Sequence, residues 1–187
     1  EPTIPLVHKI LTLTQTNQDD WALIQSSNLN GWEILFTGFE KRANSKLSSD
    51  QRFNKYGLTG CLNFYNSKFK NTKIKVVGGV CEDSINIVNS TGTIKSIFVT
   101  AAFADALDID FSIINISEIN IYSAGNDCVD VSSGNYNFSQ IFLLNCDDKG
   151  ISIGEGSTLF GNMMDLQNAN IGVSSKDLSK VKISDAK

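Results

Sequence analysis

Proline is nearly missing from this chain: two occur in 187 residues, both within the first five. Histidine is rarer still. His8 is the only one, far from every cysteine and in an irregular segment, which argues against a Ser-His-Asp or Cys-His site. The four cysteines, Cys61, Cys81, Cys128 and Cys146, form no CxxC pair and no zinc spacing. They read as small buried core or turn residues, with a single disulfide as the alternative, and they leave the redox compartment open. No run of about 18 apolar residues exists, so no membrane span is expected, and no glycine-rich phosphate loop occurs. Positive charge is in deficit. The net charge of −4 and the pI near 4.9 argue against a nucleic-acid partner, which needs clustered Lys and Arg. A local basic patch still leaves acidic substrates open. Behind Glu1 there is neither a charged n-region nor an apolar h-region, so a signal peptide is read as removed, or the chain as cut from a longer one.

What is present is a globular balance, 41% hydrophobic against 19% charged residues, with many Asn, Ser, Ile and Val. These favour strands joined by tight polar turns over a helical bundle.

The central half repeats. Glu82-Asp83-Ser84-Ile85-Asn86-Ile87, Ala104-Asp105-Ala106-Leu107-Asp108-Ile109, Asn126-Asp127-Cys128-Val129-Asp130-Val131 and Asp148-Lys149-Gly150-Ile151-Ser152-Ile153 follow one another at steps of 22, and Asn170-Ile171-Gly172-Val173 continues the series. Upstream, Leu62-Asn63-Phe64 matches Ile85-Asn86-Ile87 at a step of 23. Two further columns, Ile97, Ile119, Ile141, Met163 and Ile94, Ile116, Phe138, Phe160, repeat at 22. Apolar and polar residues alternate within each copy, the signature of strands with one buried face. A strand of about four residues cannot bury that face alone, but stacked coils pair it with its neighbours at about 4.8 Å. The pattern therefore predicts an all-β chain, a right-handed parallel β-helix whose coils hold about 22 residues, with five or six coils. Hexapeptide repeats of the left-handed kind are absent.

Residues 1–30 are expected to form an N-terminal cap or irregular segment and residues 31–187 the β-helix. Trp21-Ala22-Leu23-Ile24 and Trp32-Glu33-Ile34-Leu35-Phe36 are strand candidates outside the repeat register. A polar loop at 40–55 carries Lys41, Arg42, Lys46, Arg52 and Lys55 against Glu40 and Asp50. It is too long for a turn between coils and reads as a functional or a solvated loop. The segment from Val181 to Lys187 reads as the start of another coil, so the natural chain is expected to continue, with further domains among its partners.

Stacking turns the repeat into a surface. Asp83, Asp105, Asp127 and Lys149 form one column, and Asn86, Asp108, Asp130, Ser152 and Ser174 form a second beside it. Two like charges at about 4.8 Å repel by about 0.9 kcal/mol in water and about 3.5 at an effective dielectric near 20, so such a ladder needs a reason to persist. Three readings stand: aspartates accepting turn N–H groups, copied from coil to coil; paired carboxylates for glycoside hydrolysis; and a calcium site, although no calcium-loop motif occurs. Asn89-Ser90-Thr91, Asn115-Ile116-Ser117 and Asn137-Phe138-Ser139 fit the glycosylation pattern, and the repeat alone explains the last two equally well.

At these residues the chain resembles a known group. Phe103-Ala104-Asp105-Ala106, Gly125-Asn126-Asp127-Cys128-Val129 and Asp148-Lys149-Gly150-Ile151-Ser152-Ile153-Gly154 are similar to the successive NTDG, GDDC and GHGxSIG motifs of polygalacturonase-type hydrolases of the pectate-lyase-like β-helix superfamily. Gly172-Val173-Ser174-Ser175-Lys176 sits where that family carries its RIK motif. The likeness spans roughly residues 100–176. It implies that Asp105 and Asp127 match family carboxylates and Lys176 the family lysine. Asn126 stands for an Asp, Lys149 for the His and Ser174 for the Arg, and Asn cannot act as a general acid. The resemblance thus implies a carbohydrate-handling β-helix, extracellular or on the cell surface, that binds a glycan or polysaccharide on its acidic face. The alternatives are a hydrolase, lyase or epimerase with Asp105, Asp127 and Lys149 as catalytic residues, and a structural or assembly module. Asp83, Asn126, Asp108, Asp130 and Lys176 are the expected substrate contacts. No metal ligand set is expected, and calcium is the one cofactor left open.

Overall fold

The structure, a computed structural model, describes residues 9–39 and 53–187. Among them there are fourteen strands and no helix. They are β1 (Lys9–Thr14), β2 (Ala22–Gln25), β3 (Asn28–Asn30), β4 (Trp32–Thr37), β5 (Gly60–Tyr65), β6 (Lys68–Val77), β7 (Asp83–Val88), β8 (Thr91–Ala102), β9 (Asp105–Asp110), β10 (Ile113–Ala124), β11 (Val129–Ser132), β12 (Asn135–Gly154), β13 (Thr158–Ser175) and β14 (Lys180–Ala186).

The pairings are parallel and fall into two main ladders, with β3 paired to the first half of β6 beside them. One runs β1-β4-β6-β8-β10-β12-β13-β14, and the other runs β2-β5-β7-β9-β11 and ends on the second halves of β12 and β13. The chain is thus the right-handed parallel β-helix that the repeat predicts, with coils of about 22 residues. It makes about eight turns rather than five or six. The additional turns come from the N-terminal strands and β14. Residues 9–30 supply β1, β2 and β3, each in register with a later strand: Lys9 opposite Trp32, Ala22 opposite Leu62, Asn28 opposite Lys68. The step from β2 to β5 is 40 residues against 23 from β5 to β7, which is why these strands escape the repeat. The excess lies between β4 and β5, where the polar loop was expected. Its residues 40–52, like His8, lie outside the described residues.

Inside the stack, Leu62, Ile85, Leu107, Val129 and Ile151 form one fully buried column. Ile74, Ile97, Ile119 and Ile141 form another on the opposite ladder. The columns ending in Met163 and Phe160 need correction. The step there is 23, so Met164 lies opposite Ile141 and Gly161 opposite Phe138, while Met163 and Phe160 face solvent. Ile141 and Ile183 close over Gly161, where a Cβ would lie 3.2 Å from the Ile183 side chain. A register shift between Cys146 and Lys149 restores the step of 22.

Two corners recur with left-handed backbone. One column is Ser26, Asn66, Asn89, Phe111, Ser133, Glu155 and Asp177; the other is Gly78, Ala101, Ser123, Asn145 and Asn168, all at positive φ. Asn, Ser and Gly suit these positions. Next to the first corner, serines tie coil to coil: Ser90 Oγ accepts the N–H of Ser67, and Ser112 Oγ the N–H of Ser90, both at 3.0 Å. Asn89-Ser90 therefore has a structural reason independent of glycosylation.

The cysteines depart from the expectation of free core residues. Cys61–Cys81 and Cys128–Cys146 are disulfides, and no described cysteine is free. Each closes most of one coil, over 20 and 18 residues. Loops of this length are worth about 3 kcal/mol each through restriction of the unfolded chain.

Candidate functional site

The second ladder carries the predicted residues as a grid, with Asp83, Asn86, Asp127 and Ser152 buried and Asp108, Asp130 and Ser174 half-buried. Asp83 lies opposite Asp105 across β7 and β9. Asn86, Asp108, Asp130, Ser152 and Ser174 stand opposite one another in successive coils. Two residues further on come Val88, Asp110, Ser132 and Gly154. Lys176, exposed, follows the last paired residue of β13.

The turn column is tied into the stack. Asp105 Oδ1 accepts the backbone N–H of Asp127 at 2.8 Å and the Asn126 side-chain amide at 2.7 Å. Asp127 Oδ1 accepts the N–H of Lys149 at 2.9 Å. Lys149 Nζ sits 3.3 Å from both Asp127 oxygens and also donates to Asp148. The contact with Asp148, more than Asp127, raises the lysine's pKa.

The strand columns are freer. Asn86 Nδ2 donates to Asp108 Oδ2 at 2.8 Å and, more weakly, to Asp110 Oδ2 at 3.4 Å. The Asp130 carboxyl takes part in no hydrogen bond among the described residues and feels Lys176 and Lys149 only through their charge. Two polar atoms of the grid are buried without a partner: Asp83 Oδ2 and Ser152 Oγ, in residues 2% and 0% exposed.

Burial disfavours the charged form of five of these carboxyls, those of Asp83, Asp105, Asp108, Asp110 and Asp130. It raises Asp105 to about 6 against the opposing hydrogen bonds from Asp127 and Asn126. Asp83 stands well above the usual carboxylate range through burial, with Asp105 adding to it and the Thr59 hydroxyl opposing. Asp108 is likewise well above it, through burial and the charges of Asp83, Asp110 and Asp130. Asp110 and Asp130 are raised for the same first reason.

Three further residues complete the face. Asp110 shares a hydrogen bond with Asp108. Phe103 and Phe111, 40% and 60% exposed, bracket Asp105, Asp108 and Asp110 in a single coil. The alternation Asp108-Ile109-Asp110 already marks Asp110 as outward. Phe111 aligns at 22 with Asn89 and Ser133, an aromatic in a column otherwise polar, and that mismatch was the available signal.

Elsewhere, Phe98, Tyr122 and Phe142 stack on the first ladder at ring separations of 5.5 and 5.3 Å. A cleft of about 400 Å³ lined by Leu13, Gln15, Asp20, Trp21 and Phe36 shares no residue with the acidic face. Among the described residues no group of three or more His, Cys, Asp or Glu is arranged to hold a metal, and no helix is long and apolar enough to cross a membrane. Models of known families, curated proteins and solved structures give no match to this chain.

Proposed function

We propose that the protein is a carbohydrate-handling β-helix that binds a glycan along the outward columns Asn86-Asp108-Asp130-Ser152 and Asp110-Ser132. One observation carries this reading: Asp105 and Asp127 are spent on neighbouring coils' backbone amides, whereas Asp130, half-buried like Asp108 and Asp110, has a carboxyl with no hydrogen bond among the described residues. A row of carboxyls, amides and hydroxyls repeating at about 4.8 Å suits a ligand that is itself a repeating chain of hydroxyls. Asp83, Asn126 and Lys176 frame the row. Calcium has no assigned role in this reading. The resemblance to polygalacturonase-type motifs supports the carbohydrate class by analogy. The two disulfides, of a kind that persists in oxidising compartments, support an extracellular or cell-surface setting.

A second reading has its own support. Asp105, held near 6, beside the ion-paired Asp127 gives two carboxyl groups in unlike environments, as acid–base chemistry requires, with Lys149 as a third group. A glycan array, read together with reducing-sugar and unsaturated-sugar assays, tests both. Binding without turnover supports the first reading, turnover lost in Asp105→Asn supports the second, and silence on all glycans leaves a structural or assembly module.

A further inference from the structure

The charge of the face narrows the class of glycan. Six carboxyl groups, Asp83, Asp105, Asp108, Asp110, Asp127 and Asp130, stand on adjoining coils. Of the two lysines beside them among the described residues, Lys149 is already paired with Asp127 and Asp148, and Lys176 sits at one end. A uronate polymer would bring like charge onto this surface. The carboxyls also lack enough donors of their own. Among the described residues the Asp130 carboxyl has no hydrogen bond, and the buried Asp83 Oδ2 has no partner. The charge of Asp83 falls on Asp105 and, ahead of any other, on Asp108. Ser152 Oγ, next to Asp130 in the adjoining coil, is buried and unpartnered as well.

The aromatic residues point the same way. Phe111 holds φ of 50° while 60% exposed, a left-handed backbone that costs a bulky residue about 1–2 kcal/mol. Of the seven positive-φ positions at this corner, it is the only one filled by an aromatic residue. Phe103, 40% exposed, lies at the other end of the same coil. A sugar ring lays its C–H face on an aromatic ring, and an ammonium beside that ring gains from both the π face and a carboxylate.

Resting on the glycan reading, we infer that the ligand is a polymer of amino sugars with free amines, its rings packed on Phe111 and Phe103 and its ammonium groups set among Asp108, Asp110 and Asp130. Isothermal titration at about pH 6, where amino-sugar amines are protonated, and at low salt, with a β-1,4-linked glucosamine hexamer, its fully N-acetylated counterpart and an oligogalacturonate of equal length, tests it. The glucosamine oligomer should bind at least tenfold tighter than the acetylated one, weaken with added salt and outbind the uronate by more. Asp108→Asn and Phe111→Ser should each weaken it at least fivefold, with melting temperatures at or above wild type showing that both variants fold. Equal or tighter binding of the acetylated or uronate oligomer overturns the amino-sugar assignment and leaves the glycan reading standing. Binding untouched by either substitution overturns the site. No binding of any of the three, where the glycan array is also silent, overturns both.

Discussion

Asp105 shows how one side chain serves the fold and sets the limits of the chemistry. Its Oδ1 accepts the Asp127 N–H and the Asn126 amide, so deletion and neutralisation should have opposite effects. Asp105→Ala leaves a buried N–H unpaired and should cost about 1–3 kcal/mol. Asp105→Asn keeps an acceptor and removes a charge that burial disfavours, so at pH 7.5 it should be neutral or stabilising by on the order of 1–2 kcal/mol. Urea unfolding of the two variants checks the split; equal destabilisation would contradict the assignment of Oδ1. Gly125 carries a similar lesson. A Cβ there would lie 2.1 Å from the Phe103 carbonyl oxygen, so the glycine of the Gly125-Asn126-Asp127-Cys128 string is required by coil packing, whatever the string does chemically. Part of the likeness to hydrolase motifs is therefore the grammar of the fold.

At the scale of strands and coils, the interior columns make the register testable. Val129 is fully buried between Leu107 and Ile151. Val129→Asp would place an unpaired charge in that column, at a cost of several kcal/mol. Loss of cooperative melting in the middle coils is expected, and a melt close to wild type would refute the stacking. This much was legible from Ile, Leu and Val recurring every 22 residues, because only one stacking satisfies all the columns. The last coil was not. Its added residue is compensated within the same strand, between Cys146 and Lys149, so the apolar letters look in phase while Met163 and Phe160 have turned outward. The disulfides were hidden for a related reason. Their separations of 20 and 18 join points around one coil, not equivalent points in two, and repeat alignment registers only the latter. The grid's positions could be read from the sequence, but the burial of its outward columns could not, since alternation alone predicts exposure.

For the whole molecule, the acidic face should reverse the usual response to mild acid. Asp83, Asp105, Asp108, Asp110 and Asp130 are all raised by burial, so the fold prefers them protonated. For Asp105, near 6 when folded and about 3.9 when unfolded, the penalty is fully present above pH 6 and relieved as pH falls toward 4. That single group accounts for about 2–3 kcal/mol. Asp20 and Asp165, lowered by hydrogen bonds from Thr16 and Lys187, act the other way only at more acid pH. The melting temperature should rise from pH 7.5 to about 5 and fall below about 4. A monotonic fall across that range would show that the carboxyls are ionised and solvated in the fold.

Whether this face is where a glycan sits is decided most directly by following backbone amide resonances while the glucosamine hexamer is added to the wild-type protein. Shifts concentrated on Asn86, Asp108, Asp110, Phe111 and Asp130 are predicted. Shifts confined to the Phe98, Tyr122 and Phe142 stack or to the cleft around Trp21 would place the ligand elsewhere, and with an unmoved acidic face they would contradict the assignment.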